Sequence, residues 1–181
     1  MDDRQLVEAV TSGDREAFRS LVEREQTPVF RTCYRILGRI ADAEDVAQET
    51  FVIAYRSIGT YRGEGSLGAW LGRIATRQAM RRLSQRRDAI SIDAPGANVA
   101  SVGGLDPLGQ AIAAERSARI RSAVSALSEP YRETVALRFF AELSLAEVAE
   151  ATGRPINTVK THLRRGLERL RPLIDAEGGH R

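Results

Sequence analysis

Residues 153–170, GRPINTVKTHLRRGLERL, set Arg154, Lys160, Arg164, Arg165, Arg169 and His162 against a single acid, Glu168. Side chains of this kind, closely spaced, suit the binding of a polyanion. Their spacing narrows the chemistry further. Ile156, Val159, Leu163, Leu167 and Leu170 recur every three or four residues, which predicts a helix turning these toward a core. Asn157, Thr158, Lys160, Thr161, Arg164 and Arg165 are then left for the other face. Arg and Lys reach guanine O6 and N7 in a major groove, Asn and Thr reach base edges or phosphates, and Arg169 and Arg171 are placed for the phosphate backbone. The preceding SLAEVAEAT opens with Ser144 and Glu147, a capping-box pair, and offers Ala146, Val148 and Ala149 for close packing. Gly153 then supplies a turn, so the layout is that of a helix-turn-helix. His162 lies beside the basic face with no metal-ligand partner near it in sequence, which predicts a surface or phosphate-facing role.

Two further charge blocks stand out. Residues 72–87 hold six Arg and no acid, so Arg73, Arg77, Arg81 and Arg82 are candidate phosphate contacts with steep salt dependence. Residues 42–49 hold Asp42, Glu44, Asp45 and Glu49 with no base; with Gln48 they form an acidic helical face suited to a basic partner surface, and Asp42 is the predicted N-cap. Between the blocks lies GTYRGEGSLG, 59–68, with four glycines. A loop of that flexibility beside a basic helix suits single-stranded nucleic acid, with Tyr61 as a stacking surface. Trp70 offers a second ring, although a Trp on an apolar helix side is more often core.

The elements that must position these residues read as helical throughout. At 181 residues the chain fits one or two small domains, and 43% hydrophobic residues are enough for real cores. No apolar run approaches the roughly 18–20 residues of a membrane span. The opening MDDRQLVEAV has no signal-peptide layout, which predicts a cytoplasmic protein without membrane insertion. One cysteine, Cys33, excludes an internal disulfide and reads as a buried thiol. Of the 27 cationic residues only Lys160 is Lys, and the net charge of +3 matters less than its segregation into blocks.

Along 1–87, Leu6, Val7 and Val10 begin an apolar stripe, Asp14 caps the next helix, Pro28 breaks or kinks it, and Gly38 ends the following segment. A helix carrying Phe51 and a long one from Ala69 complete this first domain. Residues 88–107 are rich in Gly, Ala, Ser, Asp and Pro and read as a flexible linker. The second domain, 108–174, has one helix marked by Ile112, Ile120, Val124 and Leu127 and another capped by Ser128 with Pro130 in its first turn; 175–181 is a tail. The expected fold is all-α, with two small helical domains.

DAEDVAQETF, 42–51, resembles the most recognisable segment of region 2 in bacterial sigma factors, and TYRGEGSLGAWLGRIA, 60–75, is similar to the promoter-melting segment after it. LSEPYRETVALRFFAELSLAEVAEATGRPINTVKTHLRRGLERLR resembles region 4. Together they are similar to the extracytoplasmic-function (ECF) sigma factors of the sigma-70 family, from about residue 5 to 173 outside the linker. The resemblance implies that Asp42, Asp45, Gln48, Glu49 and Phe51 dock on the β′ coiled coil of RNA polymerase core, with the β flap as a second contact. It implies that Tyr61, Arg62, Ser66, Trp70, Arg73, Arg77 and Arg81 handle the −10 element, and that the face from Asn157 to Arg165 reads the −35 element. It further implies an anti-sigma factor, a stress or envelope response, and neither catalysis, cofactor nor metal. Two Arg depart from the family pattern, Arg77 where Asn is common and Arg81 near a frequent Asp; Asn157 stands where Gly is frequent. The rival is a stand-alone helix-turn-helix regulator, which explains 144–171 but leaves the acidic helix and the glycine loop idle.

Overall fold

The structure, a computed structural model, describes residues 2–63, 65–90 and 107–176. Among these residues helix is the only regular secondary structure. The first half comprises α1 (Asp3–Thr11), α2 (Arg15–Leu37), α3 (Ile40–Ser57), a 3-10 turn at Ile58–Thr60 and α4 (Leu67–Ile90). The second comprises α5 (Pro107–Ala126), α6 (Tyr131–Phe139), α7 (Leu145–Thr152) and α8 (Ile156–Ala176). Residues 91–106, most of the span read as a linker, lie outside the described residues; α4 itself runs three residues into that span.

Local chemistry sets most of the boundaries. Asp14 caps α2 by accepting from Glu16 N and Ala17 N, and Gly38 ends it in the left-handed region at φ 71°, its N–H donating to the Tyr34 carbonyl. Three expectations fail here. Pro28 does not break α2: it sits exposed inside one continuous helix, whose Leu21, Val29, Cys33, Ile36 and Leu37 are all buried. The hydrogen bond that proline forfeits therefore falls on the solvent side, while packing of the opposite face carries the helix through. Asp42 is not a cap either, because α3 starts at Ile40 behind Arg39; Asp42 sits in the first turn and pairs with Arg86 at 3.0 Å. Ser128 does not cap α6. Pro130 holds the N-cap place without a side-chain acceptor, and Glu129 Oε2 instead accepts from Glu133 N.

α2, α3 and α4 pack on one another around Leu21, Ile36, Val46 and Leu71. This core continues into the second half through Val124, Leu127, Val135 and Leu170. Cys33 is fully buried there, and burial pushes its thiol up to about 12. Small residues let α4 approach α6 and α7: Ala69 packs with Leu137, Leu143, Val148 and Val159, and Gly72 faces Ala141.

On α8 the buried stripe is Val159, Gly166 and Leu170, with Leu163 half-buried. Ile156 and Leu167, expected to face the core, are exposed, as is Ile112 on α5. Gly166 explains the offset. It lies where α8 crosses α6, and a Cβ there would come within 2.8 Å of Val135 Cγ2. The two helices meet at that glycine, so the apolar residues flanking the contact line turn outward. Gly166→Val is therefore expected to lower stability by about 1–3 kcal/mol through overpacking. Gly109→Ala has no atom within 4 Å of its new methyl and is expected to gain about 0.5–1 kcal/mol from helix propensity. Denaturant unfolding of both variants checks the pair.

Candidate nucleic-acid interface

The helix-turn-helix is built as its sequence demands. Ser144 Oγ accepts from Glu147 N at 3.2 Å while Glu147 Oε2 accepts from Ser144 N at 2.8 Å, fixing the start of α7. Gly153 closes α7 at φ 66°, and the Thr158 and Val159 amides donate to the Pro155 carbonyl to start α8. With Val159 buried, Asn157, Lys160, Arg164 and Arg165 all stand exposed on the outer face. Thr158 and Thr161 are half-buried at its margin, and Thr161 Oγ1 donates to the Asn157 carbonyl at 2.9 Å. Arg164 pairs with Glu168 at 2.7 Å, but both side chains are about 60% exposed, so the pair is worth a few tenths of a kcal/mol and yields readily to a phosphate.

Two neighbours differ from expectation. Arg169 is held away from this face: its guanidinium lies over the Tyr131 ring at 4.3 Å and reaches Ser128 Oγ. His162 sets its ring edge-on against Tyr131 at 5.8 Å. Burial, with Arg154 and Arg165 adding repulsion, holds its imidazole below the usual value, so His162 packs α8 on α6 as a neutral ring. Arg171 remains exposed.

In the first half, the loop before α4 is folded tightly. Tyr61 Oη donates to the Gly65 carbonyl at 2.6 Å, and its ring meets Trp70 edge-on at 6.1 Å. Trp70 and Tyr61 both pack partly against the core. Ser66 is exposed, with its hydroxyl accepting from Ala69 N at 3.1 Å, and Arg62 is exposed. Leu67 N donates to Asp3 Oδ2 at 2.6 Å, tying the loop to α1.

The acidic and basic blocks turn out to neutralise one another in part. Arg82 of α4 reaches Glu49 of α3, and Arg86 reaches Asp42, both at 3.0 Å. What α3 still presents outward is Glu44, Asp45 and Gln48, in line with Ile40, Val52 and Tyr55, which are 42–50% exposed. Phe51 packs toward the core instead. An acidic face edged with apolar side chains is therefore available to a basic partner, with fewer free carboxylates than the sequence contains.

Arg73 and Arg77 are the larger surprise. Both Nε groups donate to Glu133 Oε1, at 3.2 and 3.1 Å, across the junction between the halves. Arg154, in the turn between α7 and α8, stands 2.9 Å from Glu133 Oε2, an attraction of charge without hydrogen-bond alignment. Glu133 is only 7% exposed. Burial pushes its carboxyl upward, yet the three guanidinium groups outweigh burial and hold it below the usual carboxylate range. Arg81 remains exposed. A second pair, Arg35–Glu142 at 2.8 Å, also joins the halves, with Arg35 donating to the Phe140 carbonyl. Sequence reasoning missed Glu133 and Arg35. One signal was present: Glu133 stands just before the apolar stretch Val135, Ala136 and Leu137 and has no cation three or four positions away.

Comparison with known proteins agrees with this geometry. Sigma-70 region 2 matches residues 21–89, and Sigma-70, region 4 matches residues 117–170. The ECF RNA polymerase sigma factor SigW of Bacillus subtilis is 32% identical over 94% of this chain and 96% of its own. The ECF RNA polymerase sigma-E factor of Haemophilus influenzae is 32% identical over 96% and 98%. Among solved structures, CnrH in complex with the cytosolic domain of CnrY superposes with a TM-score of 0.61 at 25% identity, covering 96% of this chain and 97% of that one. The sigma factor RpoE in complex with the anti-sigma factor NepR from Bartonella quintana gives 0.53 at 21% identity, covering 87% and 96%, a likeness of fold. With two region matches and relatives aligned nearly end to end, the chain belongs to the ECF RNA polymerase sigma factors, proteins that direct polymerase to promoters.

Proposed function

We propose that the outer face of α8 reads the −35 element and that the loop at 61–66, with α4, handles the −10 element. In the first task Lys160, Arg164 and Arg165 lead, with Asn157, Thr158 and Thr161 beside them. In the second, Tyr61, Arg62, Ser66 and Trp70 meet unstacked bases, while Arg73, Arg77 and Arg81 meet phosphates. The outward strip of α3, chiefly Asp45 and Gln48 with Val52 and Tyr55, docks on the β′ coiled coil, Asp42 and Glu49 being partly spent on α4; Phe51 supports the strip from beneath. The second half also meets the β flap. Nucleotidyl transfer belongs to the polymerase, and this chain acts as a cytoplasmic, non-catalytic subunit without cofactor. The complex of a similarly folded sigma factor with the anti-sigma factor NepR supports an anti-sigma partner, and a stress or envelope role follows from the family resemblance alone.

The observation that carries this reading is the coexistence of two outward surfaces of opposite character, the cationic face of α8 and the acidic-apolar strip of α3. A stand-alone regulator accounts for the first and leaves the second without work. Run-off transcription with core polymerase, on promoters including the one upstream of the chain's own gene, is expected to give specific transcripts. Tight duplex binding without any association with core would instead favour the regulator.

Two variants separate the surfaces. Arg164→Ala/Arg165→Ala is expected to lower −35-dependent initiation by about tenfold or more, since each base or phosphate contact is worth roughly 1–3 kcal/mol, with core binding retained. Asp45→Arg is expected to weaken core association in a salt-sensitive way while leaving duplex reading by α8 unchanged. Native-gel titration with core, alongside duplex binding, checks both.

A further inference from the structure

Lys160, Arg164 and Arg165 make the outer face of α8 cationic, yet its leading end is apolar. Ile156, the first residue of the helix, is 42% exposed, and Pro155 before it is exposed as well. A single exposed isoleucine is ordinary on a protein surface. This one stands where a duplex would cover it. Ile156, Lys160 and Arg164 follow one another at intervals of four and so form one strip along the helix. In a helix-turn-helix the N-terminal residues of the second helix are those that meet base edges. Chemistry then selects the contact. A phosphate oxygen offers an aliphatic side chain nothing and loses hydration beside it. Base edges in the major groove present nitrogen and oxygen donors and acceptors, with one apolar exception, the C5 methyl of thymine. We propose that Ile156 reads a thymine methyl in the −35 element, within about two base-pair steps of the base met by Lys160. The spacing follows from the helix, since four residues advance it by about 6 Å and bases stack roughly 3.4 Å apart. The inference rests on the role proposed above for α8.

The chain leading into α8 holds this side chain ready. Arg154, two residues earlier, stands 2.9 Å from the buried Glu133. Pro155 has its φ fixed by its ring, and its carbonyl accepts from the Thr158 and Val159 amides at 2.9 and 3.1 Å. Isoleucine is branched at Cβ, so a helix leaves it one strongly preferred χ1. A side chain restricted in this way loses little freedom when a groove closes over it. Leu167 provides the contrast. It is exposed to a similar degree, 40%, and lies on the same side of α8. However, it stands eleven residues further along, roughly 16 Å from the leading end that enters the groove.

The test uses the full chain with core polymerase on the promoter upstream of its own gene, at limiting protein. Each thymine of the −35 element, on either strand, is replaced in turn by deoxyuridine, which lacks only the C5 methyl. At one thymine, wild-type initiation is expected to fall by about fourfold, the equivalent of one buried carbon. Ile156→Ala is expected to initiate equally from thymine and deoxyuridine at that position. Ile156→Val, which keeps the branch at Cβ, and Leu167→Ala are expected to retain the preference. Each result is a ratio between two templates, so a general loss of activity in a variant does not enter it. The position is expected within about two base pairs of the one at which Lys160→Ala relaxes base preference. The assignment is overturned if there is no thymine whose preference Ile156→Ala erases, or if Leu167→Ala erases it as well. A failure of −35 reading by α8 shows differently, because Arg164→Ala/Arg165→Ala then leaves initiation unchanged.

Discussion

A carboxylate buried as deeply as Glu133 cannot stay ionised alone, because desolvation would return the proton to it. Three guanidinium groups from three places in the chain keep it charged: Arg73 and Arg77 from α4, and Arg154 from the turn that launches α8. The arrangement of the two halves depends on that convergence. It sets α4 against α6 and α7, keeps the turn of the helix-turn-helix anchored to α6, and determines which of the cationic side chains are engaged. Glu133 is the buried member of these pairs, so removing a partner by mutation orphans a charge and costs about 3–5 kcal/mol.

The division of labour between halves follows from what each can hold. The second half presents a helix positioned by the capping box at Ser144, the left-handed Gly153 and the close crossing at Gly166. A rigid helix of this kind suits duplex DNA, whose groove is already shaped to receive it. The first half presents a glycine-bearing loop pinned by Tyr61, Asp3 and the start of α4, next to a row of Arg. That combination suits a flexible strand. Neither surface needs high affinity by itself, since two sites tethered to one polymerase reinforce one another through effective concentration.

Local signals made much of this legible. The caps at Asp14 and Ser144, the glycines at 38 and 153 and the helical periods all act within a few residues, and the structure reproduces them. Pro28 misled because the lost hydrogen bond faces solvent, which a sequence cannot reveal before the helix has a packed side. Ile156 and Leu167 misled because periodicity identifies an apolar stripe without showing where another helix crosses it, and Gly166 rather than a large residue marks that crossing. The charge blocks misled in a similar way. Read separately, 42–49 and 72–87 are two contact surfaces; folded, Asp42 and Glu49 spend their charge on Arg86 and Arg82. Glu133 was hidden for the plainest reason, since its partners on α4 lie 56 and 60 positions away. Among the described residues no helix is long and apolar enough to cross a membrane.

The two-surface grip on a promoter is tested most directly by installing a photoreactive side chain at Thr161 of α8 or at Arg81 of α4 and mapping its crosslinks on promoter DNA. With core polymerase present, the two positions are expected to crosslink at two separated places on the same promoter, duplex for Thr161 and the opened strand for Arg81. Crosslinks from Thr161 that persist without core, together with none from Arg81 under any condition, would contradict it and leave the chain a binder of duplex DNA through α8 alone.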